Sequence, residues 1–408
     1  MEIIRKWNSV SLIIRIICGL ILGAVLGLLI PKATGIAVLG ELFVGALKAV
    51  APILVLILVS SSLANAKGGQ AGKFRTVIIL YLLSTMTAAV LAVIINFLFP
   101  TYIPLEGITA SDEYTAPSGM AEVVTNLLKS IVANPVDAVL NANYIGILFW
   151  AVILGLALKH ASPGTKALLT DLAEALSKIV RGIISCAPFG ILGLVFNSVS
   201  TSGLDIFLTY GHLVGVLVGT MLITAFALNP LIVGLVLRHN PYPLVLKCIK
   251  TSGITAFFTR SSAANIPVNM ELCEELGLDE DMYSVSIPLG ATINMNGAAI
   301  TITTFSLSAA YTMDVHVTLV MAIALSFVAA FSACGASGVA GGSLLLVPLG
   351  CSLFGVAPDI SMAIVGVGFI ISVIQDSMET ALNSSGDAIF TATAEFRQWK
   401  KEGRKLPL

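Results

Sequence analysis

Five polar residues near the C-terminus recur at intervals that place them on one side of an α-helix. Glu379, Thr380, Asn383 and Asp387 follow Asp376 by three, four, seven and eleven residues. At about 3.6 residues per turn, all five fall within a stripe about 100° wide. The surrounding sequence is apolar, and a carboxylate in such a segment needs a cation, a proton or a polar partner. The stripe therefore predicts a binding surface, the open alternative being a stripe that only faces an aqueous vestibule.

Three polar or glycine-rich breaks interrupt the apolar sequence that precedes this stripe. They fall at residues 260–265 (Arg-Ser-Ser-Ala-Ala-Asn), 294–297 (Asn-Met-Asn-Gly) and 335–342 (Gly-Ala-Ser-Gly-Val-Ala-Gly-Gly). At membrane depth, non-helical backbone survives only where it faces protein or a water-filled cavity. Polar breaks that recur in two parts of a membrane chain are typical of a transporter's binding site.

Each break offers a different chemistry. Ser261 and Ser262, at a hairpin tip, would present hydroxyls and backbone N–H groups to a carboxylate. Unwinding at 294–297 would free carbonyls that suit a hard cation such as Na⁺. The tip at 335–342 could approach a ligand closely or act as a hinge. Three structural alternatives remain open: a turn that only caps two helices, a packing kink, and close packing by small residues.

The composition predicts a membrane protein with several spans. The chain has 408 residues, of which 57% are hydrophobic and 11% charged, whereas soluble domains average about 25% charged. The mean hydropathy is +0.96. A net charge of −1 argues against a nucleic-acid-binding protein. The first apolar stretch lacks an obvious cleavage site, so we expect no cleavable signal peptide.

The apolar pattern predicts an all-α polytopic fold with eight transmembrane helices and two re-entrant hairpins. A span needs about 20 apolar residues, and the shorter arms suit hairpins. The predicted spans are 12–30, 39–64, 76–99, 141–158, 172–199, 206–237, an interrupted span at 283–313 and a last one at 358–395, with hairpins at 242–276 and 315–357.

Lysine and arginine predict the orientation of these spans. They cluster before the first span and after the second, fourth, sixth and last, whereas the alternate loops are poor in them. The positive-inside rule then places both termini in the cytoplasm, in agreement with an even number of spans. The hairpins would enter from opposite sides, as inverted repeats produce.

In combination, the motifs resemble the dicarboxylate/amino acid:cation symporter family, which has the glutamate-transporter fold. The similarity covers nearly the whole chain and is strongest to the family's bacterial serine/threonine:sodium symporters. A further segment, Tyr-Leu-Leu-Ser-Thr at 81–85, resembles the ion-binding motif of the family's third span. The other motifs are Thr-Arg-Ser-Ser at 259–262, Pro-Leu-Gly-Ala-Thr-Ile-Asn-Met-Asn-Gly at 288–297, the tip at 335–342, and Asp-x-x-x-Thr-x-x-Asn-x-x-x-Asp at 376–387.

The resemblance implies a homotrimer in the bacterial cytoplasmic membrane that works as an elevator. A scaffold of residues 1–75 and 100–203 would hold the trimer together. A transport domain of residues 76–99 and 204–408 would carry the substrate across, with the second hairpin as the external gate. The implied ligands are a small amino acid and Na⁺.

The resemblance also implies residue roles. Asp376 would bind the substrate's ammonium group, and Asn383 with the Ser262 region would bind its carboxylate. The implied substrate site consists of Ser261, Ser262, Ala298, Val339, Ala340, Asp376, Glu379, Thr380 and Asn383.

For sodium, the resemblance implies two sites. Asp387 and Asn383, with carbonyls of Gly290 and Asn294, would form one. Carbonyls near Thr292 and Met295, with Ala333, Cys334 and Ala336 of the second hairpin, would form another.

A third sodium site of the family would involve Tyr81, Ser84, Thr85 and Asn296. The family usually has aspartate where this chain has Asn296. Loss of that carboxylate leads us to expect fewer coupled ions.

Two departures from the family pattern bear on the substrate. Glu379 replaces an arginine of the members with acidic substrates, and Ala298 replaces a threonine. Both changes argue against glutamate and aspartate, because a glutamate would repel an acidic side chain. They favour a small neutral amino acid, serine and threonine first, with alanine, cysteine and glycine still open. We expect Glu379 either to pair with Arg260 or to be protonated and bind the substrate hydroxyl.

The leading hypothesis is thus sodium-coupled symport of small neutral amino acids. An open alternative keeps the fold but uses protons, with Asp387 or Glu379 as the carrier. An ion channel is less favoured because the polar groups are clustered rather than arranged as a ring. We expect no enzyme, because the sequence shows no Ser-His or His-Glu-x-x-His arrangement.

Overall fold

The protein, seen here in a computed structural model, is built from helices. The structure describes residues 10, 12–65, 71–103, 132–141, 143–203, 206–334, 341–404 and 406–407. Every regular element within those ranges is helical. The all-α class predicted from the apolar composition is therefore confirmed.

The described part of the first half contains seven α-helices. Short polar residues begin several of them: the side chain of Asn143 accepts the N–H of Gly146, and that of Ser162 accepts the N–H of Thr165. The helices are α1 (Leu12–Leu29), α2 (Ala37–Asn65), α3 (Ala71–Leu98), α4 (Pro135–Leu140), α5 (Tyr144–Ala157), α6 (Pro163–Ser185) and α7 (Ala187–Ser202).

The second half, where described, contains eleven further α-helices. One-turn π segments, Thr224–Leu228 and Ile249–Gly253, join α8 to α9 and α10 to α11. The helices are α8 (Ile206–Ile223), α9 (Asn229–Leu237), α10 (Tyr242–Cys248), α11 (Ile254–Thr259), α12 (Ile266–Glu275), α13 (Glu280–Ile293), α14 (Asn296–Thr312), α15 (Leu319–Ala333), α16 (Val347–Ser352), α17 (Pro358–Ile370) and α18 (Ser372–Lys401).

The predicted breaks at 260–265 and 294–297 are both present. Helices α11 and α12 are joined by a turn in which Arg260 adopts a left-handed conformation, with φ of 52°. Helices α13 and α14 are separated at Asn294 and Met295. The third break lies between α15 and α16, and its residues 335–340 are outside the described ranges.

Two segments predicted as continuous spans are bent. The segment at 172–199 divides into α6 and α7, which meet at 53°. Pro188, at the start of α7, lacks the N–H that would continue the ladder of α6. The segment at 358–395 divides into α17 and α18, which meet at 83° next to Ile371. The polar stripe, which starts at Asp376, therefore begins just after a sharp bend.

Several described helices are long and apolar enough to cross a membrane. Three qualify singly, and up to five if each bent pair forms one span. Other apolar helices in the described ranges are shorter, between 10 and 17 residues. The helix lengths thus support a membrane protein with several spans.

The helices pack in two groups. Helix α1 packs along α7, and α2 packs against α5, α6 and α7. Helix α18 packs instead against α3, both arms of the first hairpin, α13 and α14. Contacts of α17 with α2 and α7 connect the groups. The second group surrounds the polar stripe.

Glycines let α1 and α7 approach closely. A Cβ atom at Gly19 would lie 2.2 Å from the carbonyl oxygen of Pro188, and one at Gly23 would lie 2.5 Å from that of Leu192. Both neighbours are backbone atoms that a rotamer change cannot move. Small residues commonly allow such contacts between membrane helices.

We predict that Gly19→Ala lowers the thermal stability of the detergent-purified protein by several degrees. The matched control is Gly182→Ala, because Gly182 also lies within a helix and a Cβ there meets no atom within 4 Å. Both changes add about the same intrinsic helix propensity. Equal melting temperatures for the two variants, measured by fluorescence-detected gel filtration after heating, would contradict the close contact of α1 and α7.

Candidate functional site

The polar stripe of α18 faces the protein interior. Asp376, Glu379, Thr380, Asn383 and Asp387 are 3%, 7%, 6%, 4% and 0% exposed. The five side chains are thus buried together on one face of α18, as their spacing predicts. Burial obliges each carboxylate to find a cation or hydrogen-bond donors.

Asp376 is held by both hairpin regions. Its Oδ2 lies 2.7 Å from Nε of Arg260, and both side chains are almost fully buried. Its Oδ1 accepts a long hydrogen bond, 3.4 Å, from the N–H of Gly341. The carboxylate at the start of the stripe thus connects the first hairpin turn to the chain just after the second hairpin tip.

The predicted pairing of Arg260 with Glu379 is wrong in this structure. The left-handed turn at Arg260 directs its side chain to Asp376, three residues earlier on α18. Three other groups already donate to Glu379 Oε2: the hydroxyls of Thr301 at 2.7 Å and Ser343 at 2.8 Å, and the amide of Gln375 at 2.6 Å. Glu379 therefore relies on neutral donors.

Sequence reasoning missed these three donors. Gln375 carried a local signal, since it lies one helical turn before Glu379. Thr301 and Ser343 lie 78 and 36 residues away from it along the chain. Thr301 belongs to α14 and Ser343 lies just after the second hairpin tip, so only the folded structure identifies them as donors.

Asn383 joins the stripe to the break between α13 and α14. Its Oδ1 accepts the N–H of Gly297 at 2.7 Å, and its Nδ2 lies 3.5 Å from Sδ of Met295. A Cβ atom at Gly297 would lie 2.7 Å from Cα of Glu379. Glycine is thus required for α14 to begin this close to α18.

Asp387 is the most deeply buried acid of the stripe. Its Oδ1 accepts the Nδ2 of Asn294 at 2.9 Å. Its Oδ2 is fully buried and has no hydrogen-bond partner among the described residues. A Cβ atom at Gly290 would lie 2.8 Å from Oδ1. Asn294 also donates to the carbonyl of Asn383 at 3.1 Å, so all four predicted ligands of one sodium site lie together.

The four residues of the doubtful third sodium site also lie together. Oδ1 of Asn296 accepts the hydroxyls of Ser84 and Thr85, each at 3.1 Å. The hydroxyl of Tyr81 contacts the carbonyls of Ser286 and Asp387, each at 3.1 Å. The hydroxyls of Ser84 and Thr85 are thus satisfied by Asn296, and that of Tyr81 by groups outside the predicted site, in contrast to Oδ2 of Asp387.

The structure describes only some of the remaining residues predicted to bind sodium. Sγ of Cys334 lies 3.5 Å from the carbonyl of Ile293, where α13 ends. Met295 and Ala333 pack in one apolar cluster. Thr292 bonds its own helix, at the carbonyl of Leu289. Ala336, Val339 and Ala340 lie outside the described residues.

The other predicted substrate residues surround the start of the stripe. The hydroxyl of Ser261 accepts the N–H of Ala264 at 3.2 Å, and Ser262 is buried. The hydroxyl of Thr380 donates to the carbonyl of Asp376 at 2.7 Å. Ala298 is fully buried within α14.

A pair of asparagines fixes the first hairpin to α18. Nδ2 of Asn265 donates to the carbonyl of Ser252 at 3.2 Å and to the hydroxyl of Ser384 at 2.8 Å. Nδ2 of Asn269 donates to the carbonyl of Ser384 at 3.0 Å. Because carbonyls only accept, both amide orientations are defined. The turn that carries Arg260 is thereby held against the stripe.

With all three of its acids ionised, the site would carry an excess of negative charge. Three stripe carboxylates face one arginine, and Arg260 is the only lysine or arginine between residues 251 and 396. Buried unpaired carboxylates are costly. With all three ionised, the arrangement favours binding of cations or of a ligand with an ammonium group.

The chain is similar to known transport proteins. Residues 12–395 match the model of the sodium:dicarboxylate symporter family. The chain is 56% identical over 402 residues to the serine/threonine transporter SstT of Bifidobacterium adolescentis, covering 98% of this chain and 93% of that protein. It is 55% identical over 398 residues to the transporter of that name from Streptococcus thermophilus, covering 98% and 99%, and 55% identical over 392 residues to that from Streptococcus agalactiae, covering 96% and 97%.

We predict that Gly290→Ala weakens cation binding, because its Cβ would displace Oδ1 of Asp387 and the hydroxyl of Tyr81, which would lie 2.7 Å away. Sodium-dependent thermal stabilisation of the purified protein measures the effect, and Asp387→Asn should weaken it similarly. The matched control is Gly253→Ala, where the nearest atom lies 3.6 Å from the added Cβ. An unchanged sodium response in Gly290→Ala would show that Asp387 does not take part in cation binding.

Proposed function

Because the chain belongs to the sodium:dicarboxylate symporter family, we propose that it is a sodium-coupled symporter of small neutral amino acids. Serine and threonine are the favoured substrates, taken up across the cytoplasmic membrane. The observation that carries this proposal is the set of three buried carboxylates in the polar stripe of α18, with one arginine paired to the first of them. The family membership itself supports amino-acid symport rather than enzyme chemistry.

Charge balance supports cation coupling. With its three acids ionised and Arg260 charged, the site has two negative charges in excess. An amino acid zwitterion adds no net charge. Sodium ions bound with the substrate would reduce the excess, so each ligand would raise the affinity for the other.

Sodium would be bound by Asp387 and Asn383 with the carbonyls of Gly290 and Asn294. Oδ2 of Asp387, which is fully buried and has no hydrogen-bond partner among the residues described, supports this set, because oxygen ligands suit a hard cation. A second ion would be bound near Thr292, Met295, Ala333, Cys334 and Ala336. A third ion at Tyr81, Ser84, Thr85 and Asn296 is disfavoured, because Asn296 already accepts from Ser84 and Thr85 and the Tyr81 hydroxyl is bonded elsewhere.

Asp376 would bind the substrate's ammonium group. Its carboxylate lies between Arg260 and the N–H of Gly341, so an arriving ammonium would share it with the arginine or displace the arginine. The released guanidinium would then be available to the substrate's carboxylate, together with Asn383 and the Ser261–Ser262 turn. Val339, Ala340, Ala298 and Thr380 complete the proposed site.

The side-chain specificity follows from Glu379. An acidic substrate would bring a second carboxylate against it, which is unfavourable in a buried site. A hydroxyl could donate to it instead. The relatives from Bifidobacterium and Streptococcus are named serine/threonine transporters, which agrees with this choice of substrate.

The proposed architecture is an elevator with eight spans and two oppositely oriented hairpins. The scaffold comprises 1–75 and 100–203, and the transport domain comprises 76–99 and 204–408. The packing of α1 and α2 with α5–α7, and of α18 with α3 and α8–α14, supports this division. A homotrimer with cytoplasmic termini in the bacterial inner membrane completes the proposal.

Uptake of labelled amino acids into proteoliposomes tests the function. Serine and threonine should accumulate when a sodium gradient is imposed without a pH gradient, whereas aspartate should not. Uptake driven by a proton gradient in sodium-free buffer would instead support the proton-coupled alternative on the same fold.

We predict that Asp376→Asn abolishes serine uptake, because an ammonium group would lose its charged partner. Breaking a buried ion pair costs about 3–5 kcal/mol, so part of the loss could reflect an unpaired Arg260. The double variant Asp376→Asn with Arg260→Gln removes that unpaired charge. If the double variant recovers serine uptake, Asp376 serves only as the partner of Arg260 and does not bind substrate.

A further inference from the structure

We propose that Oε1 of Glu379 accepts the substrate's side-chain hydroxyl, and that Thr301, Ser343 and Gln375 are positioning residues that hold the carboxylate for this task. The inference rests on the proposed function and deepens it. It assigns the discrimination between hydroxylated amino acids and alanine to one carboxylate and its three donors.

All three donors converge on the same carboxylate oxygen. Thr301 on α14, Ser343 after the second hairpin tip and Gln375 on α18 donate to Oε2 at 2.6–2.8 Å. Among the residues that the structure describes, none donates to Oε1. Oε1 is therefore the carboxylate oxygen that the described donors leave for a ligand.

The hydrogen-bond inventory makes Oε2 of Glu379 the shared acceptor of the three donors. The Gln375 amide donates one hydrogen to the hydroxyl of Thr301 at 3.0 Å and the other to Glu379. Because the Thr301 hydroxyl accepts this hydrogen, its own single proton is available to donate to Glu379. Reversing the amide would leave both N–H hydrogens without these acceptors and would set two oxygens 2.6 Å apart.

The position of Glu379 relative to Asp376 suits a β-hydroxy amino acid. Residues three apart on a helix have Cβ atoms about 5–6 Å apart. The ammonium group and the hydroxyl of serine are separated by two carbon atoms. One small ligand can therefore contact both carboxylates at once, with its ammonium at Asp376 and its hydroxyl at Glu379.

The second hairpin contributes to both contacts. Gly341 donates to Asp376, and Ser343 donates to Glu379. A bound β-hydroxy amino acid would thus interact with two carboxylates that this segment helps to orient. Loss of one donor should leave Glu379 less well fixed and weaken its bond to the hydroxyl.

The test compares serine with alanine in the same assay. Both compete with labelled threonine for uptake into proteoliposomes, and the ratio of their inhibition constants is measured for Thr301→Val and Ser343→Ala. A buried hydrogen bond contributes about 1 kcal/mol or somewhat more, so we expect the preference for serine over alanine to fall about tenfold. A purely structural defect would lower both affinities together and leave the ratio unchanged.

Two further variants serve as controls for this comparison. Thr303→Val is the matched control, because Thr303 is also fully buried on α14 but its hydroxyl has no partner in the described structure. Thr301→Ser should restore the preference because it keeps the donor. Binding measured by thermal stabilisation with serine and alanine provides the ratio for any variant that transports too slowly.

A wild-type ratio in both Thr301→Val and Ser343→Ala would overturn this inference while leaving symport intact. An equal fall of the ratio in Thr303→Val would overturn it as well. Absence of neutral amino-acid uptake by the unsubstituted protein would instead overturn the proposed function, and this inference with it.

Discussion

Burial of three carboxylates on one face of α18 is the constraint on which the rest of the site depends. Each of the three carboxylates has a different set of partners. Asp376 has a charged partner in Arg260, Glu379 has three neutral donors, and Asp387 has one amide and an oxygen without a partner in the described structure. These differences divide one stripe into positions suited to an ammonium group, a hydroxyl and a metal ion.

The neighbouring backbone must come unusually close for this arrangement. Glycines at three positions allow it: an added Cβ would lie 2.7 Å from Glu379 at Gly297, 2.8 Å from Asp387 at Gly290 and 2.6 Å from Asn294 at Gly386. The break between α13 and α14 therefore does more than free carbonyls. It lets the ends of two half-helices contact the stripe directly, so that the Asn294 amide reaches Asp387 and the Gly297 N–H reaches Asn383.

Fixed and adjustable contacts are separated along the stripe. Near its middle, Asn265 and Asn269 fix the first hairpin to the hydroxyl and the carbonyl of Ser384. At its beginning, the contacts from Gly341 and Ser343 come from the chain just after the second hairpin tip. A ligand that engages Asp376 and Glu379 would therefore act on the segment proposed as the gate, while the first hairpin stays attached.

The sequence alone determined the all-α class, the stripe on α18 and the breaks at 260–265 and 294–297, because hydropathy and helical periodicity are local properties of the chain. It did not determine the bends next to Cys186 and Ile371, which depend on how successive helices pack. The tertiary structure alone decided that Arg260 pairs with Asp376 rather than Glu379. It also brought Thr301 and Ser343 to Glu379 across 78 and 36 residues. Periodicity shows which side chains share a face, but the identity of each partner depends on which distant element packs against that face.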